Sequence, residues 1–368
     1  MSIESLPDYP LLKKLAEALW RNETSYQGAA IMVGSGFSRS AASSGDINSK
    51  LPLWNDLLKI LSEDLGSGPW GDPLRIAEEY SSYFGKQALR DLIEQTVNDP
   101  AWIPSDLYGS LLKLPWTEVL TTNWDTLLER AASDIYKPIY SIVNKPEDLS
   151  SSRSPRIVKL HGTVQISHNL IFTQEDYRQY PKTHAAFVNL ARQIFIENEF
   201  CLLGFSGDDP NFLQWVGWVR DHLASHARRI YLVGALDLSP AKRKYLESIN
   251  VAPIDLSSLV KHLDNHDQRH REATKMFLNA LQILKPKDSW DWEPTSITRK
   301  TIPENEIGKV HKEHSYAAAL LETQLDQLVK DRESYPVWLV CPSNIRWSLQ
   351  NQITDPFPNS KNLGRVIN

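Results

Sequence analysis

The sequence predicts an α/β fold with a doubly wound, mainly parallel, Rossmann-like sheet. Three features carry that expectation. Short apolar runs such as Ala29–Val33 and Phe200–Leu203 have the unbroken character of strands buried on both faces. Amphipathic helical stretches alternate with them, and glycine or polar residues stand directly after one run after another. With 368 residues the chain suggests about two domains. An apolar content of 41% and a charged content of 23% exclude a mainly disordered chain.

The elements follow in order. Leu11, Leu12, Leu15, Ala18 and Leu19 recur at helical spacing, so a helix is expected from about Pro10 to Arg21. Ala29–Val33 is the first strand, and Gly34-Ser35-Gly36-Phe37-Ser38-Arg39-Ser40 follows it as a glycine-rich loop. Residues 41–51 are small and polar and read as loop, and Leu53–Leu65 has helical spacing. From Gly66 to Pro115 the pattern is helical with proline and glycine interruptions, which marks a helical insertion over about 66–115. Val119–Thr122 is the second strand, with Asn123-Trp124-Asp125 opening a helix through Ala132. Ile157–Leu160 is the third, ending at His161-Gly162, and Leu170–Thr173 reads as another short strand.

Thr173 precedes Asp176 by three residues, a capping-box start for a helix, and Ala185–Glu197 is the next helix. Phe200–Gly204 is a buried strand followed by Phe205-Ser206-Gly207-Asp208-Asp209. Leu213–Leu223 is helical and Ile230–Gly234 is a strand. A helix from about Ser257 to Leu284 closes a domain spanning 1–285. Residues 286–305 lose periodicity and read as a linker. Residues 306–368 offer a helix (Tyr316–Val329), a strand (Val337–Cys341) and little else. They read as the start of a C-terminal α/β domain or a partner-binding extension, so the chain is expected to continue or to need a partner.

Charge and cysteine content remove several function classes. Lys plus Arg is 40 against 45 for Asp plus Glu, a net charge of −5 that argues against a general nucleic-acid coat. The 2 cysteines, Cys201 and Cys341, cannot form a tetrathiolate zinc site or a disulfide framework. The N-terminus lacks the pattern of a secretory signal, and no uncharged apolar run approaches the ~18 residues of a membrane span. A cytoplasmic location without membrane attachment is expected.

Four strand ends carry the candidate chemistry: Gly34-Ser35-Gly36, Asn123 with Asp125, His161-Gly162, and Gly204 with Ser206. In open parallel sheets, ligands bind beyond the carboxyl ends of the strands at the topological switch point. Gly34 and Gly36 allow a tight turn and close approach to a pyrophosphate, although Gly-x-Gly alone is also simply a turn. The third dinucleotide-fingerprint glycine is replaced by Arg39, and no Lys-Ser/Thr follows to make a P-loop. Asn123 offers an amide for a ribose hydroxyl or a water, or it caps the helix opening at Trp124. His161 titrates near neutrality and can accept a proton, or it is a hydrogen-bonded structural histidine.

Taken together these motifs resemble sirtuins. Gly34-Ser35-Gly36-Phe37-Ser38 is similar to their Gly-Ala-Gly-x-Ser loop, and Thr121-Thr122-Asn123-Trp124-Asp125 to their Thr-Gln-Asn-x-Asp motif. His161-Gly162 resembles their catalytic His-Gly, and Gly204-Phe205-Ser206 their Gly-Thr-Ser. The resemblance covers roughly residues 25–285. Thr173-x-x-Asp176-Tyr177 and Asp209-Pro210-Asn211 bring it nearer to the sirtuin-like NAD hydrolase (NADase) domains of bacterial antiviral proteins. The missing cysteines, and Leu51-Pro52-Leu53-Trp54 in place of Pro-Asp-Phe-Arg, argue against acyl-lysine binding.

What the resemblance implies is a sirtuin-type fold and an NAD glycohydrolase, with Asn123 and His161 catalytic and NAD as substrate. Gly34, Ser35, Gly36, Ser38, Thr122, Asp125, Gly204 and Ser206 would hold the dinucleotide, without a metal. It further implies an abortive-infection effector against phage, gated by a trigger or partner. A homo-oligomer, a phage-protein trigger, and an Argonaute-like or DNA-translocase companion are the partners it suggests. The alternatives are a module that binds NAD or ADP-ribose without turnover, and a protein deacylase.

Other clusters have plainer explanations. His262, His266 and His270 share a helix face and could ligate a metal, but charged neighbours give them the look of a solvated helix side. His222 and His226 repeat the spacing. The 12 tryptophans, among them Trp102, Trp116, Trp290, Trp292, Trp338 and Trp347, suit core packing or an interface better than base stacking. Asp208 and Asp209 point apart as consecutive residues and suit a helix cap before Pro210.

Overall fold

A computed structural model of the chain describes residues 2–21, 28–45, 50–66, 68, 71–167, 170–205, 210–223 and 226–286. The chain divides into two compact units, Met1–Lys285 and Pro286–Asn368, and the fold is that of the first. The expected linker and C-terminal extension lie beyond Pro286, outside the described residues, as do Ser206, Asp208, Asp209 and Cys341.

Helix α1 (Tyr9–Trp20) precedes β1 (Ala29–Val33), and the four-residue α2 (Ser35–Ser38) follows directly. Next come β2 (Ala42–Ser43), α3 (Trp54–Asp64), α4 (Pro73–Phe84), α5 (Lys86–Val97), β3 (Trp102–Ile103) and α6 (Asp106–Leu112). Then β4 (Val119–Thr121), α7 (Leu127–Ser133), β5 (Ser141–Val143) and β6 (Arg156–Lys159) lead to α8 (Gln174–Thr183) and α9 (Ala185–Glu197). Strand β7 (Glu199–Leu203), α10 (Pro210–Leu223), β8 (Ile230–Gly234), α11 (Pro240–Ser248) and β9 (Val251–Asp255) follow. Helices α12 (Ser257–Val260) and α13 (His266–Ile283) complete the unit.

Seven strands form one sheet in the order β5-β6-β4-β1-β7-β8-β9, and every neighbouring pair is parallel. The fold is therefore a doubly wound, Rossmann-like α/β sheet. Every residue of β1 is buried because helices cover both faces. Ala29, Ile31 and Val33 pack with α1, α6, α7 and α13 on one side. Ala30 and Met32 pack with α8, α9 and α10 on the other. A third cluster joins α3, α4 and α5 to Val164 and Phe172. Leu107–Leu112 belongs instead to the main core, so the helices that stand apart are α3 to α5.

Several elements differ from expectation. Residues 170–173 form no strand, because the amides of Phe172 and Thr173 bond to the Asp176 carboxylate in the capping box of α8. The helix after β4 opens at Leu127 rather than beside Asn123. The stretch 257–284 breaks into two helices, which leaves His262 ahead of α13. Strands β5 and β9 were not expected. Their short, polar-flanked sequences resemble loop, and only pairing in the sheet makes them strands. Trp102 and Trp116 are buried core residues, their indoles bonded to Val97 and Leu111 carbonyls.

The chain steps from β1 outward to β4 and beyond, then returns to place β7 on the opposite side of β1. At this switch point the two halves interlock through glycine. Gly34 N donates to Leu203 O at 3.0 Å, and Gly36 N to Gly204 O at 2.9 Å. Gly204 adopts φ +64, and a Cβ there would lie 2.2 Å from Phe37 N. A Cβ on Gly34 would lie 2.4 Å from Gly204 O. Gly204→Ala is therefore expected to destabilise the unit by more than the ~1–2 kcal/mol of a left-handed backbone alone, because backbone atoms must also part. Urea denaturation checks this, and an unchanged midpoint would contradict the interlock.

Candidate active site

Parallel registration sets the four strand ends at comparable heights. Val33 pairs with both Thr121 and Leu203, and Thr121 pairs with Lys159. Gly34 and Gly204 are thus each one residue beyond a matched pair. Asn123 and His161 are each two residues beyond theirs, on strands about 4.8 Å apart.

Thr121 begins the construction of the β4 end. Its Oγ1 donates to Val33 O at 2.7 Å and accepts from Asn123 N at 3.0 Å, tying the turn to β1. Asn123 Nδ2 then donates to Ser38 Oγ at 2.9 Å, and Ser38 Oγ donates to Asp125 Oδ2 at 2.9 Å. Asp125 Oδ1 accepts from Leu127 N at 3.2 Å. The directions are forced: a carboxylate only accepts, so Ser38 gives it the hydroxyl proton and must accept from Asn123. The amide is thereby oriented with Oδ1 free of this relay. Asn123 caps no helix, since Asp125 itself takes the first amide of α7.

Ser38, expected in a phosphate cradle, is a buried brace between Asn123 and Asp125. The amide of Gly36 is engaged by Gly204, while Ser35, Gly36 and Thr122 remain half-buried at the rim. Tyr108 is fully buried nearby, its phenol pushed well above its ordinary range by burial first and the charge of Asp125 second.

His161 is buried at the end of β6, and Gly162, at φ +83, turns the chain away in a conformation that favours glycine. Helix α8 supplies the packing around the imidazole. Tyr177 meets it edge-on at 5.3 Å between centroids, and Tyr180 at 5.9 Å. Tyr180 is fixed in turn by donating its hydroxyl to Leu160 O at 2.9 Å and by stacking on His184 at 4.6 Å.

Two contributors escaped the sequence reading. Lys159 is completely buried, with its ammonium on the Asp125 carbonyl oxygen and 3.1 Å from Glu129 Oε1. Burial pushes the Glu129 carboxyl up, against the pull of Lys159. The second is an aromatic wall in which Trp124 packs on Phe172 at 5.0 Å and on Trp54 at 5.6 Å. Asp99 adds a tie from the end of α5, accepting from Thr126 N at 2.7 Å and from its hydroxyl at 2.6 Å. Helix α3, through Trp54, and the segment just past α5, through Asp99, therefore touch the turn that carries Asn123.

His266 and His270 bring their Nε2 atoms to 3.1 Å on an exposed face, and His222 lies on α10 while His226 falls after it. Among the described residues no group of three or more His, Cys, Asp or Glu could hold a metal ion. Nor is any helix among them long and apolar enough to cross a membrane.

Residues 117–254 match the family described as the SIR2-like domain. The chain is 29% identical over 209 residues to an NAD(+) hydrolase ThsA of Acinetobacter baumannii, covering 55% of this chain and 42% of that protein. It is 24% identical over 248 residues to defense-associated sirtuin 2 of Bacillus subtilis, covering 63% and 24%. An NAD(+) hydrolase ThsA of Cytobacillus dafuensis is 25% identical over 227 residues, covering 60% and 43%. The chain thus spans less than half the length of each of these relatives. The matched SIR2-like segment includes Asn123, His161 and Gly204, whereas the Gly34–Ser38 loop precedes it and reaches it through β1.

The packing behind His161 gives the folded unit a pH dependence. Burial lowers the pKa of His184 below its ordinary 6.5, against smaller upward pulls from Glu147 and Asp176. Below about pH 6.5 the unfolded chain holds a proton that the folded state resists. This contribution is then complete above that pH and is lost as pH falls through it. His184→Phe keeps the stack on Tyr180 and is expected to flatten the fall in melting temperature between pH 7 and 5 relative to the parent. Identical slopes in the two proteins would contradict it.

Proposed function

We propose that this protein is an NAD glycohydrolase that adds water across the bond between nicotinamide and ribose, releasing nicotinamide, ADP-ribose and a proton. The observation that carries the reading is the pairing of an oriented Asn123 amide with the His161 imidazole, level with each other on adjacent strands beside the switch point. Relatives named NAD(+) hydrolase support it.

The chemistry follows from the parts. Nicotinamide leaves as a neutral molecule from a cationic ring, so departure needs no metal in this reading. The ribose gains oxocarbenium character as the bond breaks, and fixed dipoles can stabilise that charge. Asn123 Oδ1 would accept from a ribose hydroxyl or from the attacking water. His161 takes the proton as the new bond forms. Ser35, Gly36 and Thr122 at the rim, with Gly34 and Gly204 setting the backbone, face the diphosphate. Asp125 and Ser38 act from below by holding Asn123.

We place this activity in antiviral defence, as an effector kept inactive until a trigger or partner arrives, since free NAD loss would kill the host cell. The relatives' names support the defence setting. Trp54 on Trp124 and Asp99 on Thr126 offer a route by which the helical insertion, packed in an oligomer or against a partner, sets the catalytic turn.

Asn123→Ala and His161→Ala, tested separately, are expected to lower NAD turnover by about 10²-fold or more while the fold persists. Chromatography of nicotinamide and ADP-ribose measures it. Unchanged turnover in both variants overturns the mechanism, and NAD recovered bound and intact from the parent favours a sensing module. The gate is tested by assembly state. Hydrolysis is expected to rise with oligomer or partner, and full-rate hydrolysis by an isolated monomer would defeat it.

A further inference from the structure

Lys159 sits where an apolar residue would be the cheaper choice. Its side chain is completely buried, and lysine is almost never so placed unless paired. Two groups meet the ammonium: the carbonyl oxygen of Asp125 and the carboxylate of Glu129 at 3.1 Å. Glu129 lies in the first turn of α7, itself largely buried. The pair therefore fills the space under the turn that joins β4 to α7.

The sequence positions give this contact its meaning. Lys159 is two residues before His161, and Asp125 is two residues after Asn123. A charge-assisted hydrogen bond thus runs from the strand that ends in the imidazole to the turn that carries the amide. The turn has further ties: Thr121 to β1, Ser38 to Asn123 and Asp125, Asp99 to Thr126, and Val164 N, three residues past His161, onto Trp124 O at 2.9 Å. Among these side-chain ties Lys159 is the one that reaches the turn from β6 itself. A lysine stem also fixes distance in a way that apolar packing does not, because the ammonium must reach a particular oxygen.

We infer that Lys159, neutralised by Glu129, is a positioning residue that sets the Asn123 amide against the His161 imidazole. The inference rests on the NAD-hydrolase reading for its effect on turnover. Its effect on the turn stands apart from that reading. It makes Lys159 neither a substrate contact nor a proton carrier.

Removing Lys159 alone would strand the Glu129 charge and could prevent folding, so the test uses Lys159→Met with Glu129→Gln, and Glu129→Gln alone as its control. Two readouts are taken on the full chain: hydrogen exchange of peptides spanning residues 122–126, and kcat and KM for NAD. The double variant is expected to melt cooperatively and to exchange about tenfold faster over 122–126, with β7 unchanged. Its kcat should fall about tenfold or more with KM within about twofold, as for a misplaced catalytic group. Glu129→Gln alone keeps the ammonium on the Asp125 carbonyl but removes its counter-charge, so it should melt below the parent while its exchange over 122–126 and its kcat stay nearer the parent than those of the double variant. Lys159→Arg keeps the charge but moves the donors, so it should also lose kcat and decides the matter if the double variant does not fold. Parent-like exchange and kcat in a folded double variant overturn the inference, as does a lowered melting temperature with kcat unchanged. A parent chain that cleaves no NAD defeats the hydrolase reading alone, because the exchange data still decide whether Lys159 holds the turn.

Discussion

A buried carboxylate has to be supplied with donors, and at Asp125 that requirement organises the site. It is met by a hydroxyl from the β1 side, Ser38, and by the first amide of α7. Because Ser38 must donate to Asp125, it can only accept from Asn123, and a side-chain amide that could face two ways is left with one. The orientation of the proposed catalytic group is thus a consequence of satisfying a neighbour. Breaking any link would leave a buried polar group unpaired, which costs about 1–3 kcal/mol. Stability and chemistry press on the same three side chains.

That relay works only if β1, β4 and β7 meet without side chains between their ends. Gly34, Gly36 and Gly204 provide the clearance. Their first duty in this molecule is to one another, since the amides of Gly34 and Gly36 bond to carbonyls at the end of β7. A glycine-rich loop after a strand is usually read as a cradle for phosphate. Here the same glycines also seal the crossing where the sheet reverses direction, and a ligand would rest on the rim that this seal creates.

Much of this was legible in the sequence, for identifiable reasons. Unbroken apolar runs gave β1, β4, β6, β7 and β8 because burial on both faces leaves no room for alternation. Residues at strand ends could be named because ligands in such sheets collect there. Edge strands β5 and β9 were hidden by their mixed composition. The helix start at 127 was hidden because Asn123 and Asp125 are both good caps, and only coordinates show which one meets an amide. Lys159 was invisible for a deeper reason. A lysine inside an apolar strand reads as an exposed edge until its partners, which come from a different element, are known.

The helices inserted between β1 and β4 bear on how such a site could be controlled. Their cluster packs against Val164 and Phe172 on one side of the turn, through Trp54 and Trp124, and Asp99 grips Thr126 on the other. The turn is held from outside the sheet by these contacts and from inside by Lys159 and Thr121. A shift of these helices would reach Asn123 through Trp124 and Thr126, and it would reach the packing of His161 through α4, whose Glu78 accepts from Glu175 N of α8 at 3.0 Å. The inserted helices therefore bear on both groups of the candidate site, and a change in their packing would shift the turn of Asn123 and the helix behind His161 together.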